Sequence, residues 1–173
     1  EFGKVTEIYT NLAPAAASAR LSQQALLDAT RGFTATLVSN GKSLEEAGSS
    51  ATQLGAALRK GGVDTRAWTS LVKNASPVAD ILATSVGRSV GEISNMIKTN
   101  PGILSTADVF KALGDASEGA SKKLGDTVDS ISDGFNRISI ASQFFFGKLA
   151  LHRSRIVVEN VGRKVAFHEG NRP

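Results

Sequence analysis

Residues 43–62 read SLEEAGSSATQLGAALRKGG, and they specify one helix from start to stop. Ser43 and Glu46 stand three apart, the spacing of a capping box: the serine hydroxyl accepts from the Glu46 amide while the carboxylate reaches back to the Ser43 amide. Leu44, Ala47, Ala51, Leu54 and Leu58 then recur at steps of three and four, which places them in one apolar stripe of an α-helix. Gly61 and Gly62 end it, because glycine takes the left-handed backbone past a helix terminus without a steric penalty.

The same pattern recurs along the chain. Ser89 with Glu92, and Ser105 with Asp108, repeat the cap spacing. Ser76-Pro77 reads as a cap ahead of a proline at the first helical position, where the missing amide costs little. Ser22 opens a helix whose Leu26, Phe33 and Leu37 share a face, closed by Asn40-Gly41. These signals predict helices near 4–18, 22–39, 43–60, 64–75, 76–86, 89–99 and 105–117. No segment alternates with the period of two that marks a half-buried strand. The expected class is all-α, with a compact bundle of short helices over residues 1–118.

A different regime begins near Gly119. Leu124, Val128, Ile131, Phe135, Ile138, Ser142, Phe145 and Leu149 step by four and three without a break. That is a heptad seam of more than three repeats, the spacing of a coiled coil. Gly125, Gly134 and Gly147 weaken it, each by roughly 1 kcal/mol against alanine inside a helix. The seam supports two readings: a long amphipathic helix folded back on the body, or self-association. Leu124, Val128, Ile131, Phe135, Ile138, Phe145 and Leu149 are the candidate contact residues, in an expected long helix over 119–152. From Arg153 the periodicity fades, and 153–173 is expected to be a basic, weakly structured tail. The chain begins with Glu rather than Met, so it reads as a fragment of something longer.

Composition narrows the function classes. Apolar residues make up 41% of the 173 positions and aromatic residues 6%, so the core must rest on Ala, Leu, Ile and Val. The absence of cysteine excludes disulfides and thiolate zinc sites. The most apolar window, ISIASQFFFGKLAL, is interrupted by Ser, Gln and Lys and falls short of the ~18 apolar residues that a membrane span takes. The formal charge of +4 is unevenly placed: residues 1–143 hold 14 Lys/Arg and 14 Asp/Glu, whereas residues 144–173 hold six and two. A neutral body lacks the clustered cations that phosphate binding needs.

Catalysis has little support. His152 and His168 both lie in the weakly patterned tail, whereas a general base needs a rigid setting within reach of its nucleophile. Glu45-Glu46 is the one adjacent acid pair, and capping accounts for Glu46. The chain is therefore read as a non-enzyme without cofactor, metal or small-molecule substrate. GRSVG, residues 87–91, opens a helix, but no strand precedes it and no Gly-Lys-Ser/Thr follows, so it reads as a turn rather than a phosphate cradle. Trp68 shares a face with Leu71, Val72 and Ala75 and reads as a core anchor. Phe144, Phe145 and Phe146 cannot all share one helical stripe. With Lys148, Arg153 and Arg155 nearby, 144–155 could meet a membrane surface, or a protein.

DILATSVGRSVGEISNMIKTN, residues 80–100, has the outline of a DNA-binding helix-turn-helix. Its second helix must turn Val90, Ile93, Met96 and Ile97 inward, which leaves Gly91, Glu92, Ser94, Asn95 and Lys98 outside. Base reading takes cationic and amide side chains on that face, so the segment is a poor reader of nucleic acid and its turn is architectural. A helix-turn-helix regulator and a membrane-active segment stay as the alternative functions.

From Ser39 to Leu113 the residues SNGKSLEEAGSSATQLGAALRKGGVDTRAWTSLVKNASPVADILATSVGRSVGEISNMIKTNPGILSTADVFKAL resemble the N-terminal domain of bacteriophage tape measure proteins. The Ser43-Leu44-Glu45-Glu46-Ala47 helix start, QLGAALRKGGVDTRAW (53–68), LATSVGRSVGEISNMI (82–97) and LSTADVFKAL (104–113) follow in the family's order, and the resemblance covers roughly residues 5–135. Pro101-Gly102 departs from the family's short glycine-containing link, and the residues after Phe144 match nothing in it. The resemblance implies a mainly helical component of a phage or prophage tail, made in the bacterial host cytoplasm and placed in the virion. It implies tail assembly and length determination as the role, with tube proteins, assembly chaperones and a second copy of the chain as partners. Some members carry peptidoglycan-cleaving domains, and nothing in this stretch is similar to one.

Overall fold

The computed structural model describes residues 2–100, 102–123, 133 and 135–138. The helices of residues 2–123 are α1 (Phe2–Ser18), α2 (Gln23–Ser39), α3 (Leu44–Leu58), α4 (Thr65–Asn74), α5 (Ser76–Ser85), α6 (Val90–Thr99) and α7 (Thr106–Lys123). Every regular element among the described residues is helical, so the fold is all-α. Both capping boxes form. The Ser43 hydroxyl accepts from the Glu46 amide at 3.2 Å, and the Glu46 carboxylate accepts from the Ser43 amide at 2.9 Å. Ser89 and Glu92 close the same pair at 3.3 and 2.8 Å. The Ser105 hydroxyl accepts from the Asp108 amide at 3.2 Å and donates to the Asp108 carboxylate at 2.6 Å.

The start of α5 and the end of α7 differ from the sequence expectation. Ser76 lies inside α5 instead of capping it; Ala75 precedes the helix without a side-chain cap bond. The Ala75 carbonyl accepts from the Val78 and Ala79 amides at 2.9 and 3.2 Å while its own amide donates to Leu71. One junction residue thus serves both α4 and α5, and backbone bonds replace the serine. Helix α7 runs past the expected end near residue 117 to Lys123. After α1, Arg20 adopts φ 56°. Leu21 donates to Ala16 at 2.9 Å and Arg20 to Ala17 at 3.1 Å, the crossed pair of a Schellman motif with arginine where glycine is usual.

Packing centres on α2. Leu26, Ala29, Phe33 and Leu37 are buried, as the expected stripe requires, and so are Thr30, Thr34 and Thr36 on the remaining faces. The hydroxyls of Thr30 and Thr34 donate to the carbonyls of Leu26 and Thr30 at 2.6 and 2.8 Å, which satisfies these polar groups without water. A helix buried on nearly all sides can then sit in the middle of the body, with α7 as its most extensive partner and α1, α3 and α5 around it.

Missing side chains set how closely the helices lie. A Cβ on Gly32 of α2 would collide with the carbonyl oxygen of Leu113 on α7, and one on Gly55 of α3 with the carbonyl oxygen of Asn11 on α1. Near Gly55, Asn11 Nδ2 donates to the Thr52 hydroxyl at 2.9 Å, and Gly48 faces the Glu7 side chain. The α3–α4 and α6–α7 loops are clasped as well. Val63 donates to the Leu104 carbonyl at 3.0 Å and Thr106 to the Gly61 carbonyl at 3.2 Å, while the buried Thr106 hydroxyl donates to the Leu58 carbonyl at 2.7 Å.

The first compact unit spans Glu1–Phe135. The second, Asn136–Pro173, is described at 136–138, a helical stretch in which Ile138 is buried.

Two glycine substitutions should move stability in opposite directions. Gly32→Ala forces α7 off α2 and should cost about 3 kcal/mol. Gly91→Ala, exposed in α6 with no atom within 4 Å of the added carbon, should gain up to about 1 kcal/mol from helix propensity. Urea-unfolding midpoints of the two variants check both signs.

Candidate functional site

The segment shaped like a DNA reader is a joint in the core. Helix α5 ends at Ser85 with Val86 as its C-cap, and Gly87 takes φ 66°. Arg88 donates to the Ala83 carbonyl at 3.0 Å and Gly87 to the Thr84 carbonyl at 2.9 Å, so a Schellman turn carries the chain into α6. Ile93 and Ile97 are buried there, and Val90 packs partly against the same core. Ser94, expected on the outer face, instead accepts the Trp68 indole N–H at 2.8 Å and donates to the Val90 carbonyl at 2.9 Å. Its hydroxyl is the polar partner that lets a tryptophan 1% exposed sit in the core. On the outside, Arg88 pairs with Glu92 at 3.6 Å, so the turn's cation is matched by an acid on its own helix. Asn95 and Lys98 are exposed on this face, but one amide and one further cation are a thin set for reading base edges.

The remaining surface chemistry belongs to helix ends and exposed ion pairs. Hydrogen bonding to the Ser43 backbone amide, helped by Lys42, lowers the Glu46 pKa, and the Ser89 amide does the same for Glu92. A hydrogen bond from Lys4 to Glu45 raises the lysine pKa, and Asp115 raises that of Lys111. All four shifts stabilise charges already present near neutrality, the opposite of what a general base or acid working there requires. Among the described residues no group of three or more histidine, aspartate or glutamate side chains could hold a metal ion. No helix among them is long and apolar enough to cross a membrane.

Between α2 and α7 lies an open groove of about 680 Å³, bordered by Ala25, Asp28, Arg31, Phe110 and Lys111. Its charged groups are largely engaged with their neighbours. Gln24 donates to Asp28 at 2.9 Å, and Lys111 meets Asp115 at 2.6 Å. Over Phe135 stands Arg31, with its guanidinium carbon 5.5 Å from the ring centroid. Phe135 and Ile138 of the heptad seam are both buried within the single chain. The other candidate contact residues, Leu124, Val128, Ile131, Phe145 and Leu149, lie outside the described residues, as do Phe144, Phe146, His152 and His168.

With a helical body whose polar groups serve folding, the comparison with known families becomes informative. The sequence model of one family, described as tape measure protein, matches residues 1–150. The chain belongs to the tape measure protein family. The match takes in the whole first compact unit and reaches beyond both the roughly 5–135 of the residue-by-residue resemblance and Phe144. No curated protein matches the chain, and no solved structure does. Tape measure proteins are structural components of phage tails, and the chain is accordingly a virion tail component that meets other tail proteins.

Sequence reasoning missed Ser94, Arg31 and the small-residue face of α3. For that face a signal was present: Gly48, Thr52 and Gly55 recur at steps of four and three beside the apolar stripe. Arg31 carried none, because its partner lies 104 positions along the chain.

The two capping boxes make an acid-side prediction. Both carboxyls fall below their ordinary value of 4.5 in the folded chain, so the unfolded state binds more protons as pH drops. Their contribution is complete above the unfolded value and disappears as pH falls through the lowered folded values. Replacing Glu46 and Glu92 together with Gln should flatten the decline of thermal midpoint between pH 5 and roughly pH 3, measured by circular dichroism.

Proposed function

We propose that the compact unit is a folded module of a tail ruler, and that the heptad-patterned segment leading from it is the part that measures and self-associates. The family match over residues 1–150 carries this reading. Dimensions support dividing the labour in this way. As one continuous helix, the 135 residues of the first unit would extend about 200 Å. Folded, a unit of that size has a radius of gyration of about 14 Å. A chain so shortened is a poor ruler and a good docking body, with a surface to offer tube proteins and assembly chaperones.

Length is then set by residues that remain extended, at 1.5 Å each. The seam has the period for this. Its apolar positions keep one face turned toward a partner helix over several turns, and side-by-side chains would stiffen one another. In this reading the protein is made in the bacterial cytoplasm and acts in assembly through helix-to-helix contacts.

Inserting five heptads in frame after Leu149 should lengthen the assembled tail by about 50 Å, measured by electron microscopy of particles carrying the altered gene. Tails of unchanged length would remove the seam from the ruler. In solution, Ile131→Asp together with Ile138→Asp should abolish concentration-dependent association in sedimentation velocity. Helical content by circular dichroism reports whether the body survives the change.

A further inference from the structure

The body is neutral in sum, but its charges are unevenly placed. Residues 47–79 hold four cations, Arg59, Lys60, Arg66 and Lys73, and one acid, Asp64. Asp64 is engaged at the start of α4, where its carboxylate accepts from the Ala67 amide at 2.8 Å. All four cations are exposed. The ion pairs among the described residues engage Lys4, Lys42, Arg88 and Lys111, and none of these four takes part. Their positions make one surface. Arg66, Ser70 and Lys73 stand at i, i+4 and i+7, a single row about 10 Å long on α4. Ser70 donates to Gln53 of α3, which joins that row to the neighbouring helix, and Arg59 and Lys60 stand in the turn leading from α3 to α4. Folding does not account for Arg66. The first turn of α4 carries no acid, and the helix dipole disfavours a cation there.

We propose that this face of α3 and α4 is a docking surface for a tail protein that presents a cluster of aspartate and glutamate side chains. The inference rests on the reading of the compact unit as a docking body, and it names the surface and the chemistry of the partner. Carboxylates fit the face better than phosphates do. Two helices side by side, each ~10–12 Å across, are too wide for a major groove of ~12 Å. No exposed residue of the face is aromatic, so single-stranded bases have nothing to stack on. Cations that break no existing ion pair when they meet a partner give up little on docking, and they steer an oppositely charged surface into register.

Assembled tails treated with a water-soluble carbodiimide, which joins lysine amines to carboxylates in contact with them, test this directly. Mass spectrometry should find Lys60 and Lys73 joined to Asp or Glu of another tail protein. If Lys4, Lys42, Lys98 or Lys111 couples to tail proteins while Lys60 and Lys73 do not, the surface is overturned and the docking body stands. Coupling of Lys60 and Lys73 to carboxylates of this chain alone also overturns it. If no lysine of the body couples to another tail protein, the docking reading falls as well. In particles carrying the altered gene, Arg66→Glu together with Lys73→Glu should lower the yield of tailed particles at least tenfold, counted by electron microscopy. Arg66→Gln should leave the thermal midpoint of the purified chain unchanged or raised by circular dichroism, which separates lost docking from lost folding. An unchanged particle yield overturns the proposal. Binding of a 20-base-pair DNA duplex at low salt that disappears in the paired Glu variant assigns the face to phosphate and overturns it too.

Discussion

The carbonyl oxygen of Leu113 occupies the space where residue 32 would carry a side chain, and the body is arranged around that approach. Helices ordinarily pack with their axes 8–10 Å apart, held off by interdigitating side chains. Where one surface is glycine the backbones come closer, and more of each neighbouring side chain reaches the opposite helix. Along α2 this closeness is combined with burial on nearly every side. Such burial is costly for a polar group that finds no partner. Thr30 and Thr34 find theirs in the carbonyls one turn earlier and behave as compact, β-branched fillers of an aromatic-poor core, whereas the Thr36 hydroxyl is buried without one. Gly55 against Asn11 repeats the approach between α1 and α3.

Much of the polar chemistry among the described residues serves folding. The acids at helix starts accept orphan amides, Lys42 and Lys111 meet carboxylates a turn away, and the one indole N–H is taken by Ser94. The pKa shifts follow the same logic, since each favours the charge that the partner already stabilises. This is what membership in a family of structural tail components leads one to expect.

Phe135 shows how one residue can satisfy two patterns that compete. In sequence it belongs to a run of apolar residues at steps of three and four, which suits a rod. In the fold it is covered, with an arginine from α2 over its ring.

Most of the helical layout could be read directly from the residues. Capping serines, the acids three positions later and the glycines past helix ends act over single turns, so Ser43–Glu46, Ser89–Glu92 and Gly87 locate helix ends without reference to the rest of the chain. The close approaches of Gly32 and Gly55, the all-round burial of α2, Ser94 beneath Trp68 and Arg31 over Phe135 are not local. Each depends on which helix lies opposite, and a threonine or an arginine has the same local preferences whether its partner is water or a neighbouring backbone. Even Arg20, held at positive φ without glycine's freedom, reflects this division. Its own preferences point elsewhere, and the crossed hydrogen bonds from Arg20 and Leu21 back to Ala17 and Ala16 of α1 close the turn around it. Hydrogen bonds within a turn are written in neighbouring residues; contacts between helices exist only once the helices have met.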